Sequence, residues 1–232
     1  MLAKDVMTTG VVTVQADTTV REIATVLAGK GISAVPVVDD AGAVLGIVSE
    51  GDLMHRQEIG TDQKKPSWWL MSLSKTEAAA VDYSKSHGMH AHDVMTRDVI
   101  TVTENTQLAA VADILETKHI KRVPVMKDGA LVGIVSRANI VQAIAARPEG
   151  AHAPMSGDDS SIRTRVNDNL KGQPWSRPWN NSIFVSDGVV DIYGTVENDA
   201  ERDASRIAAE NTPGVVKVID HRGLDNYSIG GI

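Results

Sequence analysis

The sequence predicts a mixed α/β protein, with two copies of one strand-and-helix unit followed by a smaller α+β unit. Three observations predict it. Asp5-Val6-Met7-Thr8 returns as Asp93-Val94-Met95-Thr96, and further matches follow at the same offset of 88 residues. Within each copy, apolar runs of strand length alternate with stretches of helical spacing. Past residue 147, a stretch carrying Pro148, Gly150, Pro154 and Gly157 separates the copies from a different helix, hairpin, helix and strand pattern.

The first copy spans 1–58. Val11 to Val14 alternates as a short strand. Asp17 to Lys30 has helical spacing, with Val20, Ile23, Ala24 and Leu27 on one face, Thr18 or Thr19 as cap, and Gly29 and Gly31 at the end. Ile32 to Val38 and Val44 to Val48 are apolar runs separated by Asp39-Asp40-Ala41-Gly42, which reads as a hairpin. A second helix is predicted over Gly51 to Glu58. Residues 59–92 have no counterpart in the other copy; they hold Trp68-Trp69 on a short helix and a second helix near Glu77 to Ser86. Paired tryptophans of this kind cover a core or a dimer seam more often than they bind a base.

The second copy spans 93–147. Gln107 to Lys118 is its first helix, Val123-Pro124-Val125 repeats Val35-Pro36-Val37, and Gly133-Ile134-Val135-Ser136 repeats Gly46-Ile47-Val48-Ser49. The second offset falls to 87, so one residue is lost between the two runs. The loss coincides with the hairpin turns, where length change costs least. A linker over 148–159 leads to the third unit at 160–222. That unit is read as an amphipathic helix (Ser161 to Leu170), a loop with Pro174, Trp175, Pro178 and Trp179, a hairpin turning at Ser186-Asp187-Gly188, a helix capped by Asn198, and a strand from Gly214 to Ile219. A loose tail at 223–232 is expected.

The chemistry-bearing stretch is the strand end that turns into a helix, Ser49-Glu50-Gly51-Asp52. A helix N-terminus has unpaired N–H groups that can meet an anion, and a first-turn carboxylate can accept hydrogen bonds from neighbouring hydroxyls. Ser-x-x-Asp is also close to a capping box, which needs no ligand. The repetition around it is what raises a ligand-binding reading.

With the Met-Thr start, Val-Pro-Val, Gly-Ile-Val-Ser and Asp52 in order, each copy resembles a CBS domain, and the pair resembles a Bateman module. The resemblance implies a β-α-β-β-α unit in each copy, two sheets packed about a pseudo-twofold axis, and a regulatory role through adenosine-containing ligands bound in clefts. It implies one cleft joining Ile47, Ser49 and Asp52 to Thr96, Ile100, Ile120, Lys121, Arg122 and Val123. That set has a carboxylate for ribose, apolar walls for adenine and two cations for phosphate. The other cleft would join Ser136, Arg137 and Asn139 to Thr8, Val12, Ile32, Ser33, Ala34 and Val35. Asn139 departs from the Asp of the family, and Arg137 is the one cation nearby in sequence, so this cleft is expected to be weak or empty. AMP, ADP or ATP is the expected ligand, ahead of NAD or S-adenosylmethionine. The 160–222 unit resembles a BON domain through Asp187-Gly188-Val189-Val190-Asp191-Ile192-Tyr193-Gly194-Thr195-Val196, the Ala-rich helix that follows, and Pro213-Gly214-Val215. BON domains are associated with phospholipid.

Composition sets bounds. A net charge of −7 argues against nucleic-acid binding. The absence of cysteine excludes disulfides and thiolate metal sites. No signal peptide or membrane span is visible, so a cytoplasmic protein is expected. Residues 149–232 carry 8 basic and 13 acidic side chains, which argues against simple attraction to anionic lipid; Trp175 and Trp179 serve either an interface or a clamp between domains, with the clamp favoured. His87, His90 and His92 lie on a short connector of the kind that is usually solvated, so no metal site is expected. No catalytic motif is present: there is no Gly-x-Ser-x-Gly, His-Glu-x-x-His or phosphate-binding Gly-Lys-Thr loop. The reading is a non-enzymatic nucleotide-sensing module that homodimerises through its helices and reports through its C-terminal domain. Its rival is an assembly or membrane-associated stress protein with a vestigial cleft.

Overall fold

The structure, a computed structural model, describes residues 1–61, 75–147 and 157–225. The Trp68-Trp69 pair, most of the linker and the end of the tail lie outside the described residues. The chain forms two compact units, Val12–Val99 and Met1–Val11 with Ile100–Ile232. These are cut differently from the sequence repeats. The chain opens on α1 (Ala3–Val6), which belongs to the second of these units.

In the 12–99 unit, β1 (Val14–Gln15) leads into α2 (Val20–Lys30). Of the two candidate caps, Thr19 is used. Its hydroxyl accepts from Glu22 N at 3.2 Å, and the Glu22 carboxylate accepts from Thr19 N at 2.9 Å and Thr19 Oγ1 at 2.7 Å. The helix ends at Gly31, which is left-handed with φ 61°. It buries Ile23 and Leu27 against β2 (Ala34–Val38) and β3 (Val44–Ser49). β1 pairs parallel with β2, and β2 antiparallel with β3, giving the order β1-β2-β3. The expected hairpin is present, its turn held by Asp39 Oδ1, which accepts from Ala41 N at 3.0 Å and Ala43 N at 2.8 Å.

The helix predicted over Gly51 to Glu58 is shorter. α3 covers Glu50–Leu53, and the chain then leaves helical geometry at Arg56, with φ −127° and ψ 138°. The cause is the 59–92 connector. Its helix α4 (Lys75–His87) ends beside Arg56, whose buried guanidinium donates to the carbonyls of Lys85 at 2.8 Å and Gly88 at 2.7 Å. A cation bonded to the last carbonyls of a helix offsets that helix's orphan acceptors. Drawing Arg56 to that position takes its backbone out of α3.

α5 (Ala91–Val94) follows, then Met95-Thr96. Thr96 pairs with Ile47 of β3 in both directions, N to O at 3.0 and 2.9 Å, and Met95 lies over Gly46. A Cβ on Gly46 would run into Met95 Sδ and sit 2.8 Å from its Cγ and 3.0 Å from Thr96 O. This explains why Gly-Ile-Val-Ser and Met-Thr travel together: the glycine is the seat for the methionine. The partners are exchanged, because the Met-Thr of the second copy closes on the sheet of the first.

The other unit repeats the exchange. α1 begins with Leu2 N donating to Asp5 Oδ2 at 2.8 Å, Thr8 pairs with Ile134, and Met7 lies over Gly133. β4 (Val102–Thr103), α6 (Leu108–Thr117), β5 (Arg122–Lys127), β6 (Ala130–Ser136) and α7 (Arg137–Ala145) follow, with sheet order β4-β5-β6. The residue missing from this copy comes out of the turn, where Asp128 (φ 49°) and Gly129 (φ 82°) join strands paired through Lys127 and Ala130.

The C-terminal part of this unit starts with α8 (Gly157–Leu170), four residues ahead of the expected Ser161. Asp159 explains the earlier start. It is buried, and its carboxylate accepts from Asp187 N at 3.2 Å and Gly188 N at 3.0 Å, tying the first turn of the helix to the hairpin turn. β7 (Asn181–Ser186) and β8 (Val189–Val196) form that hairpin. α9 (Asp199–Glu210) is capped by Asn198 accepting from Glu201 N at 2.9 Å, as expected. β9 (Lys217–Asp220) and the unforeseen β10 (Gly223–Leu224) both run parallel to β8. Ile162, Val166, Ile183, Val185, Val190, Ile192 and Ala209 make the core between sheet and helices.

Candidate functional site

Each copy of the repeat carries the same corner, where the second strand of the hairpin ends and a helix begins. In the first copy Ser49 is the N-cap, and Asp52 Oδ2 accepts from Ser49 N at 2.9 Å and Ser49 Oγ at 2.7 Å. This closes the capping box that the sequence allows. The second carboxylate oxygen, Oδ1, takes the ammonium of Lys85 from α4, and the two side chains are 12% and 16% exposed. Sequence reasoning does not find Lys85, because the connector has no partner in the second copy. Ile47 and Thr96 stand beside this corner as a backbone pair, with Thr96 exposed.

In the second copy the box is the same in form. Ser136 N donates to Asn139 Oδ1 at 2.8 Å, and Ser136 Oγ does so at 2.7 Å. The other half of the carboxamide differs in kind. Asn139 Nδ2 donates to Thr8 Oγ1 at 3.1 Å and to Ser182 Oγ of β7 at 3.0 Å. Both acceptor positions of the oxygen and both protons of the nitrogen are therefore used, and the side chain is 3% exposed. A carboxylate cannot donate, so the amide suits this corner better than the family's aspartate would. Phe184, two residues along β7, joins the core of the second copy and meets Tyr193 edge-on at 5.8 Å.

A second link between β7, α8 and the start of the chain is Arg163. It is buried and donates to Ile183 O at 2.6 Å, Lys4 O at 2.5 Å and Met7 O at 2.6 Å. Burial lowers its pKa to about 10, the nearby Asp5 acting in the opposite sense, so it remains a cation at neutral pH. Sequence reasoning does not single out Arg163 or Ser182, since contacts at such separations leave no periodic signal.

The remaining named residues lie as follows. In the 12–99 unit, Val35 is fully buried and Ala34 nearly so, both paired to β3. Val12 is half-buried against the core, and Ser33 accepts from Glu50 N at 3.1 Å. In the other unit, Ile100, Ile120, Lys121, Arg122 and Val123 lie at or before the starts of β4 and β5, with Lys121 exposed, Arg122 half-buried opposite Ser136, and Val123 in the core. The expected anion-binding role of Arg137 meets a competitor. Its guanidinium donates to Ile120 O at 3.2 Å and Leu115 O at 2.9 Å, so it serves the end of α6. Trp175 packs against the C-terminal core, and Pro178 presses on Gly10, where a Cβ would come within 2.7 Å of it.

The CBS domain matches residues 3–58 and 91–146, and the BON domain matches residues 158–221. The protein belongs to the CBS-domain family and carries two CBS repeats followed by a BON domain. It is similar to the chloroplast CBS domain-containing protein CBSX1 of Arabidopsis thaliana, 35% identical over 136 residues, 56% of this chain and 57% of that protein. An uncharacterized protein of Methanocaldococcus jannaschii is 29% identical over 154 residues, 62% of this chain and 91% of its own length. The crystal structure of CBSX2 in complex with AMP superposes with a TM-score of 0.55 at 30% identity, covering 62% of this chain and 96% of that one. The chain thus spans a little over half the length of the chloroplast relative.

Proposed function

We propose that this protein is a non-catalytic regulatory module that binds one adenine nucleotide through the Ser49–Asp52 corner and passes its occupancy to the BON domain. Asp52 serves the ribose hydroxyls, Ile47 and Thr96 flank the base, and Lys121 and Arg122 of the second repeat serve the phosphate. Ile100, Ile120 and Val123 supply apolar wall. The observation that carries this reading is the inequality of the two corners. Asp52 is held on one side by a lysine ammonium, whereas Asn139 is buried and saturated by Thr8 and Ser182. The AMP held by CBSX2 supports the ligand class.

A thermal-shift screen across AMP, ADP, ATP, NAD and S-adenosylmethionine tests it. A ligand at a hundred times its Kd stabilises by about 2.7 kcal/mol. The adenine nucleotides should raise Tm in the wild type and leave Asp52→Ala unmoved. No shift with any of the five ligands would remove the reading.

The rival reading, an assembly or membrane-associated stress protein with a vestigial cleft, draws on the same ion pair, since Lys85 satisfies Asp52 without any ligand. Nucleotide released from purified protein on denaturation separates the two. For the BON domain, the packing of Trp175 into its core and of Pro178 on Gly10 favours a clamp within the chain over insertion into phospholipid. Vesicle flotation checks this, with no protein expected in the lipid fraction.

A further inference from the structure

The run ahead of Met-Thr differs between the copies in two side chains that its capping frame does not need. Where the first copy begins Leu2-Ala3-Lys4-Asp5, the second begins His90-Ala91-His92-Asp93. The aspartate does the same work in both. Asp5 Oδ2 accepts from Leu2 N at 2.8 Å, and Asp93 Oδ2 accepts from His90 N at 3.0 Å, with Met89 N added at 3.0 Å. Leucine and lysine are sufficient for that frame, so the two histidines are extra to it.

Their arrangement is specific. His92 Nδ1 lies 2.7 Å from the carbonyl oxygen of Ala16, which can only accept, so Nδ1 carries the proton. In the neutral ring Nε2 is then a lone pair, and it lies 3.2 Å from Asp93 Oδ1, another lone pair. Two acceptors at that distance repel unless a proton or a metal ion stands between them. A tetrahedral ion with bonds of about 2.0–2.1 Å has donor atoms about 3.3 Å apart. His90 completes the set. Its Nδ1 is 3.8 Å from Asp93 Oδ2, its ring stacks on His92 at 5.5 Å and 2°, and donor atoms of all three residues lie within 4.8 Å of one another. The His92 N–H bonded to a backbone carbonyl is also the outer-shell contact that fixes a metal-binding imidazole. The side chains are 42%, 47% and 33% exposed, so an ion can reach them.

We propose that His90, His92 and Asp93 form a binding site for a zinc-like divalent ion, with two imidazole nitrogens, one carboxylate oxygen and a remaining position for water. Two nitrogens and one oxygen suit zinc, cobalt or nickel rather than magnesium or calcium. The ion would fasten the connector's return. Met89 O accepts from Val20 N, Ala91 N donates to Thr18 O, and His92 N donates to Ala16 O, so the segment is already laced to the start of α2.

The test is calorimetric titration of the full, EDTA-treated chain with zinc chloride at pH 7.5. One zinc per chain is expected. His90→Leu and His92→Lys, which install the residues of the first copy, should each weaken binding at least about tenfold, while His55→Ala should not. Cobalt absorption of the wild type gives an independent reading, with visible bands lost in His92→Lys. The proposal is overturned if the wild type takes up no stoichiometric zinc or if both variants bind it like the wild type. AMP binding is measured separately on the same variants, so a failed zinc titration says nothing against the nucleotide site.

Discussion

At the scale of single residues, the two corners differ in one atom. Asp52 and Asn139 occupy matching positions and close matching boxes with Ser49 and Ser136. The second oxygen of Asp52 faces an ammonium, whereas the amide nitrogen of Asn139 faces two hydroxyls. Asp52→Ala and Lys121→Ala should therefore each weaken AMP binding, the former more, by at least about tenfold, a loss of about 1.4 kcal/mol. Asn139→Ala should instead lower stability by about 1–3 kcal/mol, since it strips partners from buried groups, and leave AMP affinity near that of the wild type. Gly46 and Gly133 give a second prediction at this scale. Gly46→Ala places a methyl where Met95 lies, and Gly133→Ala one where Met7 lies, and each should cost about 1–3 kcal/mol in urea denaturation. The corner boxes are legible in the sequence because capping is local. Lys85, Ser182 and Arg163 are not, because the first stands on an unrepeated connector and the others act across 20 residues or more.

At the scale of elements, α2, α9 and both hairpins follow from caps, glycines and alternation within a dozen residues of sequence. The misses have a common cause. α3 stops early because Arg56 is drawn to the end of α4, and α8 starts early because Asp159 is drawn to the turn of β7 and β8. In both, one long-range polar bond outweighs local propensity. The same competition appears at β9. Arg222, whose side chain is fully buried, bonds Asp220 at 2.9–3.2 Å through N and Nε and reaches Ser205 Oγ at 3.2 Å, joining the strand to α9. Desolvation pushes the Asp220 carboxyl up, but hydrogen bonds from the side chain and backbone of Arg222 outweigh it, and the net direction is down. A carboxyl depressed in the folded state stabilises fully above its unfolded pKa of about 3.9, and that stability is lost as pH falls through and below that value. Asp220→Asn should cost about 3 kcal/mol at neutral pH, because it strands a buried guanidinium, and should flatten the acid limb of a pH-stability curve below about pH 4.

At the scale of the whole molecule, the exchanged Met-Thr segments matter most. The first eleven residues belong to the unit that also holds the second CBS repeat and the BON domain, and they run directly into the other unit at Val12. Thr8 touches Asn139 and Ser182, and Lys4 and Met7 hold Arg163. Within its own unit, this segment joins the second CBS repeat to the BON domain. The proposed transmission to the BON domain predicts that AMP changes the hydrogen-exchange protection of β7, and unchanged protection would contradict it. Outward, Val141 and Ile144 stand 64% and 70% exposed, three residues apart on α7. An exposed apolar helix face of this kind is where the homodimer expected from the sequence would pair. Ile144→Asp should halve the mass seen by light scattering. Among the described residues no helix is long and apolar enough to cross a membrane.

The most direct measurement is the stoichiometry of AMP in a calorimetric titration of the full chain. The account predicts one AMP per chain, abolished or strongly weakened by Asp52→Ala and retained in Asn139→Ala. Two AMP per chain, or a single site that survives Asp52→Ala and disappears with Asn139→Ala, would contradict it.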